Sequence, residues 1–151
     1  MKTVFKNINT LDIINFQEAF EITLPEDYKS FLLESNGGFP SFNRFVFYET
    51  FEQGSCEILF SLDDNSTSYK HLTLEANFRD LAKIMSMPDE IFPIGQDGGG
   101  NYVCICLKGP HYGRIYFWDH EKENEDEEGN ITWNNLTLIA KNFTIFFNTL
   151  F

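Results

Sequence analysis

The chain has 151 residues, 42% of them apolar, which fits one domain around one core and a globular rather than a disordered chain. Its net charge of −12 argues against nucleic acid and anionic membranes as partners, since both need Lys and Arg to displace counterions. Charge of that sign suits a basic partner, and it also serves solubility alone.

Seventeen phenylalanines predict an aromatic-rich core. The amino terminus, Met1 to Lys6, carries no apolar stretch of signal-peptide length. No run approaches membrane-spanning length, so a reducing cytoplasm is the expected compartment. Residues 10–21 place Leu11, Ile14 and Phe16 to Phe20 at approximate helical spacing, with Thr10 as the cap. The next helix has Pro25 at a first helical position and acids in its first turn, followed by Tyr28, Phe31 and Leu32 at i, i+3, i+4. Asn36-Gly37-Gly38 ends it, which predicts positive φ at one glycine or both.

Arg44 to Phe51 reads as a strand, with Cys56 to Leu62 as its hairpin partner across a turn near Gln53-Gly54-Ser55. Asp63-Asp64-Asn65-Ser66 is turn chemistry. Leu74, Phe78, Leu81, Ala82 and Met85 form a helical stripe that Pro88 stops. Phe92 to Ile94, Tyr102 to Lys108 and Arg114 to Trp118 read as consecutive strands, the last two joined by the short loop Gly109–Gly113. Residues 119–130 read as a solvated loop. Ile139, Phe143, Phe146, Phe147 and Leu150 follow one face of a terminal helix. Short turns between strands favour an antiparallel sheet, with helices packed mainly on one face. The expected fold is thus a single α+β domain over residues 1–151.

Gln96-Asp97-Gly98-Gly99-Gly100-Asn101 has the glycine content of a phosphate loop but not its other parts. No Lys-Ser/Thr follows, the loop feeds a strand rather than a helix, and Asp97 would repel phosphate. Two readings stay open. One is a wide turn in which Asp97 accepts backbone N–H groups. The other is a contact surface, where bare glycines let a partner approach the backbone.

Cys104 and Cys106 stand two apart in a strand and point to the same face, a geometry that suits small buried hydrophobes rather than a disulfide. No second Cys/His pair stands at zinc-ligand spacing, so neither metal nor cofactor is expected. None of His71, His111 and His120 pairs with a Ser or Cys in a nucleophile motif, and no G-x-S-x-G elbow is present. No catalytic residue is expected.

The sharpest electrostatic feature is residues 119–130, D-H-E-K-E-N-E-D-E-E-G-N, where seven acids stand against one lysine for a net −6. It admits three readings: a disordered, solvated loop, a calcium loop, and a recognition patch for a basic protein. For calcium, Asn124, Asp126, Glu128, Gly129 and Ile131 fall in an EF-hand frame, but Asn135 stands where the bidentate Glu is required.

Three segments in order resemble the SUKH superfamily: Leu24-Pro25 through Asn36-Gly37-Gly38, Phe92 through Asn101 (F-P-I-G-x-D-x-x-G-N), and Gly113 through Glu121 (G-x-I-Y-F-W-D-H-E). Ala140 through Phe147 is similar to the family's closing helix. The resemblance implies an α+β fold and a non-enzymatic role. Bacterial members typically bind a toxin domain, often a nuclease, and block its active site or a nearby surface. A yeast branch regulates cell-wall synthesis through protein contacts. Nuclease toxins have basic grooves, so an acidic inhibitor can take the place of the nucleic-acid backbone.

The expectation is a cytosolic immunity protein that binds its cognate toxin stoichiometrically. Asp97, Asp119, Glu121, Glu123, Glu125, Asp126, Glu127 and Glu128 are the expected recognition residues, with Asn101 and Tyr102 as neighbours. Gly37, Gly38, Gly95 and Gly100 read as shaping the fold. The alternative is a small-molecule- or calcium-responsive regulatory module using the same loops.

Overall fold

A computed structural model gives the fold. It describes residues 1–62, 69–84 and 86–151, the side chains of 80–84 excepted. The turn expected at Asp63–Ser66, Met85, and the side chains of Leu81 and Ala82 in the third helical stripe fall outside what is described.

Helix α1 (Thr10–Phe20) starts from a capping box. Asn9, not Thr10, is the cap: its side chain accepts the N–H of Asp12, whose carboxylate accepts the N–H of Asn9. The helix buries Ile13 and Phe16, while Leu11 and Ile14 face solvent. Helix α2 (Glu26–Ser35) buries Tyr28, Phe31 and Leu32, with Pro25 one position earlier than expected, as the cap. It ends where expected. Asn36, Gly37 and Gly38 all have positive φ, at 44°, 83° and 133°. The glycines are also needed for space. A Cβ on Gly37 would lie 2.6 Å from the Leu59 carbonyl oxygen, and one on Gly38 2.7 Å from that of Lys2.

Strands β1 (Arg44–Val46) and β2 (Gln53–Ser55) form a separate two-stranded antiparallel sheet. This corrects the hairpin read from the sequence. Gln53–Ser55 is strand rather than turn, because Gly54 lies under the Phe45 ring, where a Cβ would sit 2.6 Å from its edge. The expected partner segment instead contributes β3 (Ile58–Leu59) to the main sheet. That sheet runs in the order β3, β4 (Ile91–Gln96), β5 (Tyr102–Cys106), β6 (Ile115–Trp118), β7 (Leu136–Ala140), with every neighbour antiparallel. The expected adjacency of the Tyr102 and Arg114 strands holds, with Tyr102 opposite Trp118 and Ile105 opposite Ile115.

Every residue of β5 and β6 is buried, so both faces of the sheet are covered. One face takes the helices. Phe92 meets Phe16 and Phe20 of α1 and stacks on Phe78 of α3 (Leu74–Ile84) at 4.5 Å. Further along it, Phe45 and Phe47 pack on Phe117. The other face is covered by irregular chain, with Phe60 against Tyr102 and Trp133 edge-on to Tyr116 at 5.3 Å.

The terminal helix is shorter than its periodicity suggests. Ile139 belongs to β7, and helix α4 spans only Phe143–Asn148. Asn142 accounts for the boundary: its side chain accepts the Ile145 N–H at 2.8 Å, starting the helix there. Phe143 and Phe147 then pack on Phe31 of α2 at 4.8 and 5.3 Å.

Candidate functional site

The β4–β5 connection is a closed turn. Asp97 Oδ1 accepts the N–H groups of Gly99 and Asn101, each at 2.8 Å, and Oδ2 accepts the Asn101 side-chain amide at 2.8 Å. The Asp97 N–H donates to the Asn101 carbonyl, and Gly100 has φ +93°. Both carboxylate oxygens therefore point into their own turn, as in the turn-forming reading of this residue. Asn101 passes the connection on: its side-chain oxygen accepts the His120 N–H and lies 2.7 Å from His120 Nδ1. The β4–β5 turn and the start of the acidic loop are thus held together. Asp97 and Asn101 also line an open hollow of about 440 Å³, shared with Arg44, Gln53, Phe47 and Phe117.

Tyr102 is 9% exposed, and its ring packs between Trp118 and Phe60. Burial raises its phenol's pKa. It forms the floor beneath the turn rather than its rim.

The acidic loop is folded. Asp119 opens it, donating its N–H to the Asn135 carbonyl, accepting the Glu121 N–H at 3.0 Å and lying 3.9 Å from Lys122 Nζ. Asn124 donates its side-chain amide to the Ser86 carbonyl, tethering the loop to the segment between α3 and β4. Glu125 and Ile131 form an antiparallel bridge. Beyond them, Asp126 repeats the Asp97 turn. Its Oδ1 accepts the N–H groups of Glu128 and Asn130 at 2.9 and 2.8 Å, and its Oδ2 accepts the Asn130 amide at 3.1 Å. Its own N–H donates to the Asn130 carbonyl, and Gly129 has φ +83°.

The N–H and side-chain amide of Asn130 hold the Asp126 carboxyl below the ordinary carboxylate range. Its oxygens thus face backbone amides rather than a cation position. Glu121, Glu123, Glu125, Asp126, Glu127 and Glu128 are all exposed. Among the described residues, no three His, Cys, Asp or Glu side chains converge to hold a metal. Cys56, Cys104 and Cys106 are free, buried thiols, and burial pushes those of Cys56 and Cys104 far up. No described helix is long and apolar enough to cross a membrane.

The family model described as SMI1 / KNR4 family (SUKH-1) matches residues 7–149. The chain belongs to this family. Its SUKH-1 fold is similar to a crystal structure of a protein from Pseudomonas syringae pv. tomato. The TM-score is 0.53 at 21% identity, over 88% of this chain and 83% of that one. Among curated proteins it is similar to the SPbeta prophage-derived uncharacterized protein YokK of Bacillus subtilis (strain 168), at 29% identity over 117 residues. That match covers 70% of this chain and 58% of YokK, so the chain spans little more than half the length of this relative.

Within this SUKH-1 domain, sequence reasoning missed the recurrence of the Asp97 turn at Asp126. The signal was present: Asp97–Asn101 and Asp126–Asn130 both read D-x-x-G-N, with glycine at the position that needs positive φ. It also missed the Asn101–His120 link and the Asn124 tether. These join residues 19 and 38 positions apart, and no local pattern marks them.

Proposed function

We propose that this SUKH-1 protein is a cytoplasmic, non-enzymatic immunity protein that binds a cognate toxin domain and neutralises it through an acidic surface. One observation carries the electrostatic part: the exposed carboxylates of residues 121–128 sit on a loop folded by its own hydrogen bonds. Charges held on a folded hairpin keep their spacing, so a basic surface meets a fixed negative patch with little ordering left to do. A nuclease groove, lined with Lys and Arg for a phosphate backbone, is the partner surface that best fits such a patch. Family membership supports a protein partner in general; the nuclease chemistry rests on charge.

The test is association of the purified chain with a candidate cognate toxin domain, identified by pull-down and then purified. Wild type should form a 1:1 complex that abolishes toxin activity, and association should slow markedly towards ~0.15 M salt, where the Debye length is about 8 Å. The variant Glu123→Gln/Glu125→Gln/Glu127→Gln/Glu128→Gln leaves the Asp126 turn intact. It should lower the association rate more than it raises the dissociation rate. Association at the wild-type rate, with wild-type salt dependence, would sink the steering role.

A further inference from the structure

The loop joining β1 to β2 presents Phe51 79% exposed, at φ +59°. A bulky side chain is disfavoured in that left-handed conformation, and exposure of its ring returns nothing to the fold. Around it stand Tyr48, 53% exposed, and Phe151, 49% exposed, with Val46 and Ile145 also exposed. Together they edge an open hollow of about 640 Å³ floored by Phe47 and Ile139. Phe47 also lines the hollow that holds Asp97 and Asn101, so the apolar surface runs on into the Asp97 turn. Strain, exposed rings and a hollow at one spot are the anatomy of an interface centre.

We infer that this surface is the apolar docking point for the toxin domain, with Phe51 and Tyr48 as its anchors; the inference rests on the immunity reading above. The rim defines the occupant. Glu49 and Glu52 flank Phe51 and are exposed, and Lys141 is the cation beside Tyr48. The matching surface is an apolar pocket that sets Lys or Arg opposite Glu49 and Glu52 and an acid opposite Lys141. A second copy of this chain fits poorly, because pairing would bring together two molecules that each carry a charge of −12. Division of labour follows. The acidic loop governs encounter, while the Phe51 surface governs how long the complex lasts.

Binding kinetics of the same purified candidate toxin domain test this, with Phe51→Gly and Tyr48→Ala as variants. Each should weaken binding at least about tenfold, chiefly through faster dissociation and with an unchanged salt slope. Phe51→Gly should melt at or above the wild-type temperature, since glycine is at ease at positive φ. A merely structural Phe51 would lower it. Wild-type dissociation in Phe51→Gly, with binding otherwise intact, overturns this inference and leaves the immunity reading standing. No binding by wild type overturns both. Sedimentation of the chain alone as a dimer that Phe51→Gly dissolves would assign the surface to a second copy and overturn the inference.

Discussion

At the scale of single residues, the two D-x-x-G-N turns give one side-chain arrangement two different tasks. Asp97 closes a turn between central strands and, through Asn101, reaches His120. Asp97→Ala removes acceptors from two backbone N–H groups and one amide, and should cost about 1–3 kcal/mol in chemical denaturation. Asp126→Ala should leave the melting temperature nearly unchanged, because its turn lies at a fully exposed tip, yet speed amide exchange at Glu128 and Asn130. Acid should do the same. The Asp126 carboxyl is depressed in the folded turn, so its stabilisation is present above the ordinary carboxylate value of 3.8 and is lost as pH falls through the lower folded value. Exchange at those two amides, corrected for its intrinsic pH dependence, should rise only below that range. A rise already at pH 5 would show that the carboxylate does not hold the turn.

At the scale of elements, the sequence was most legible where one signal acted alone. The α2 pattern of Tyr28, Phe31 and Leu32 closed by Asn36-Gly37-Gly38 appears as read, as does the pairing of β5 with β6. It misled where two signals overlapped. Ile139 stands four residues before Phe143 and so mimics a helical turn, but it lies in a strand whose partner, β6, precedes it by some twenty residues. A helix period cannot report a distant pairing. The Gln53–Ser55 error has the same root: Gly54 reads locally as a turn and is used instead for close passage of the Phe45 ring. In the acidic loop the charges were legible and their anchoring was not. The correct boundary of α4 rests on one residue, so Asn142→Ala should destabilise the protein by about 0.5–2 kcal/mol. Calorimetric melting checks this. An unchanged midpoint would mean that contacts of Phe143 and Phe147 with Phe31 define the helix without the cap.

At the scale of the whole molecule, charge works against the fold. Three ion pairs are present among the described residues, each with at least one well-exposed partner, and such pairs contribute little. Self-repulsion at −12 is the larger effect. Raising salt from ~0.01 to ~0.15 M shortens the Debye length from about 30 to about 8 Å and should raise the melting temperature. Each kcal/mol of repulsion relieved corresponds to about 2–4 °C for a chain of this size. A fall on adding salt would show that attractive pairs dominate. The three buried thiols make the same molecule a reporter of its own opening. Thiol reagents are attacked by the thiolate, whose formation burial suppresses at Cys56 and Cys104. Cys106, whose sulfur bonds the Lys108 carbonyl at the end of β5, should label first, through local fraying. Cys104, at the centre of the sheet, should label last, at a rate set by complete unfolding. Site-resolved mass spectrometry of a labelling time course would then read partial and global opening from one unmodified sample.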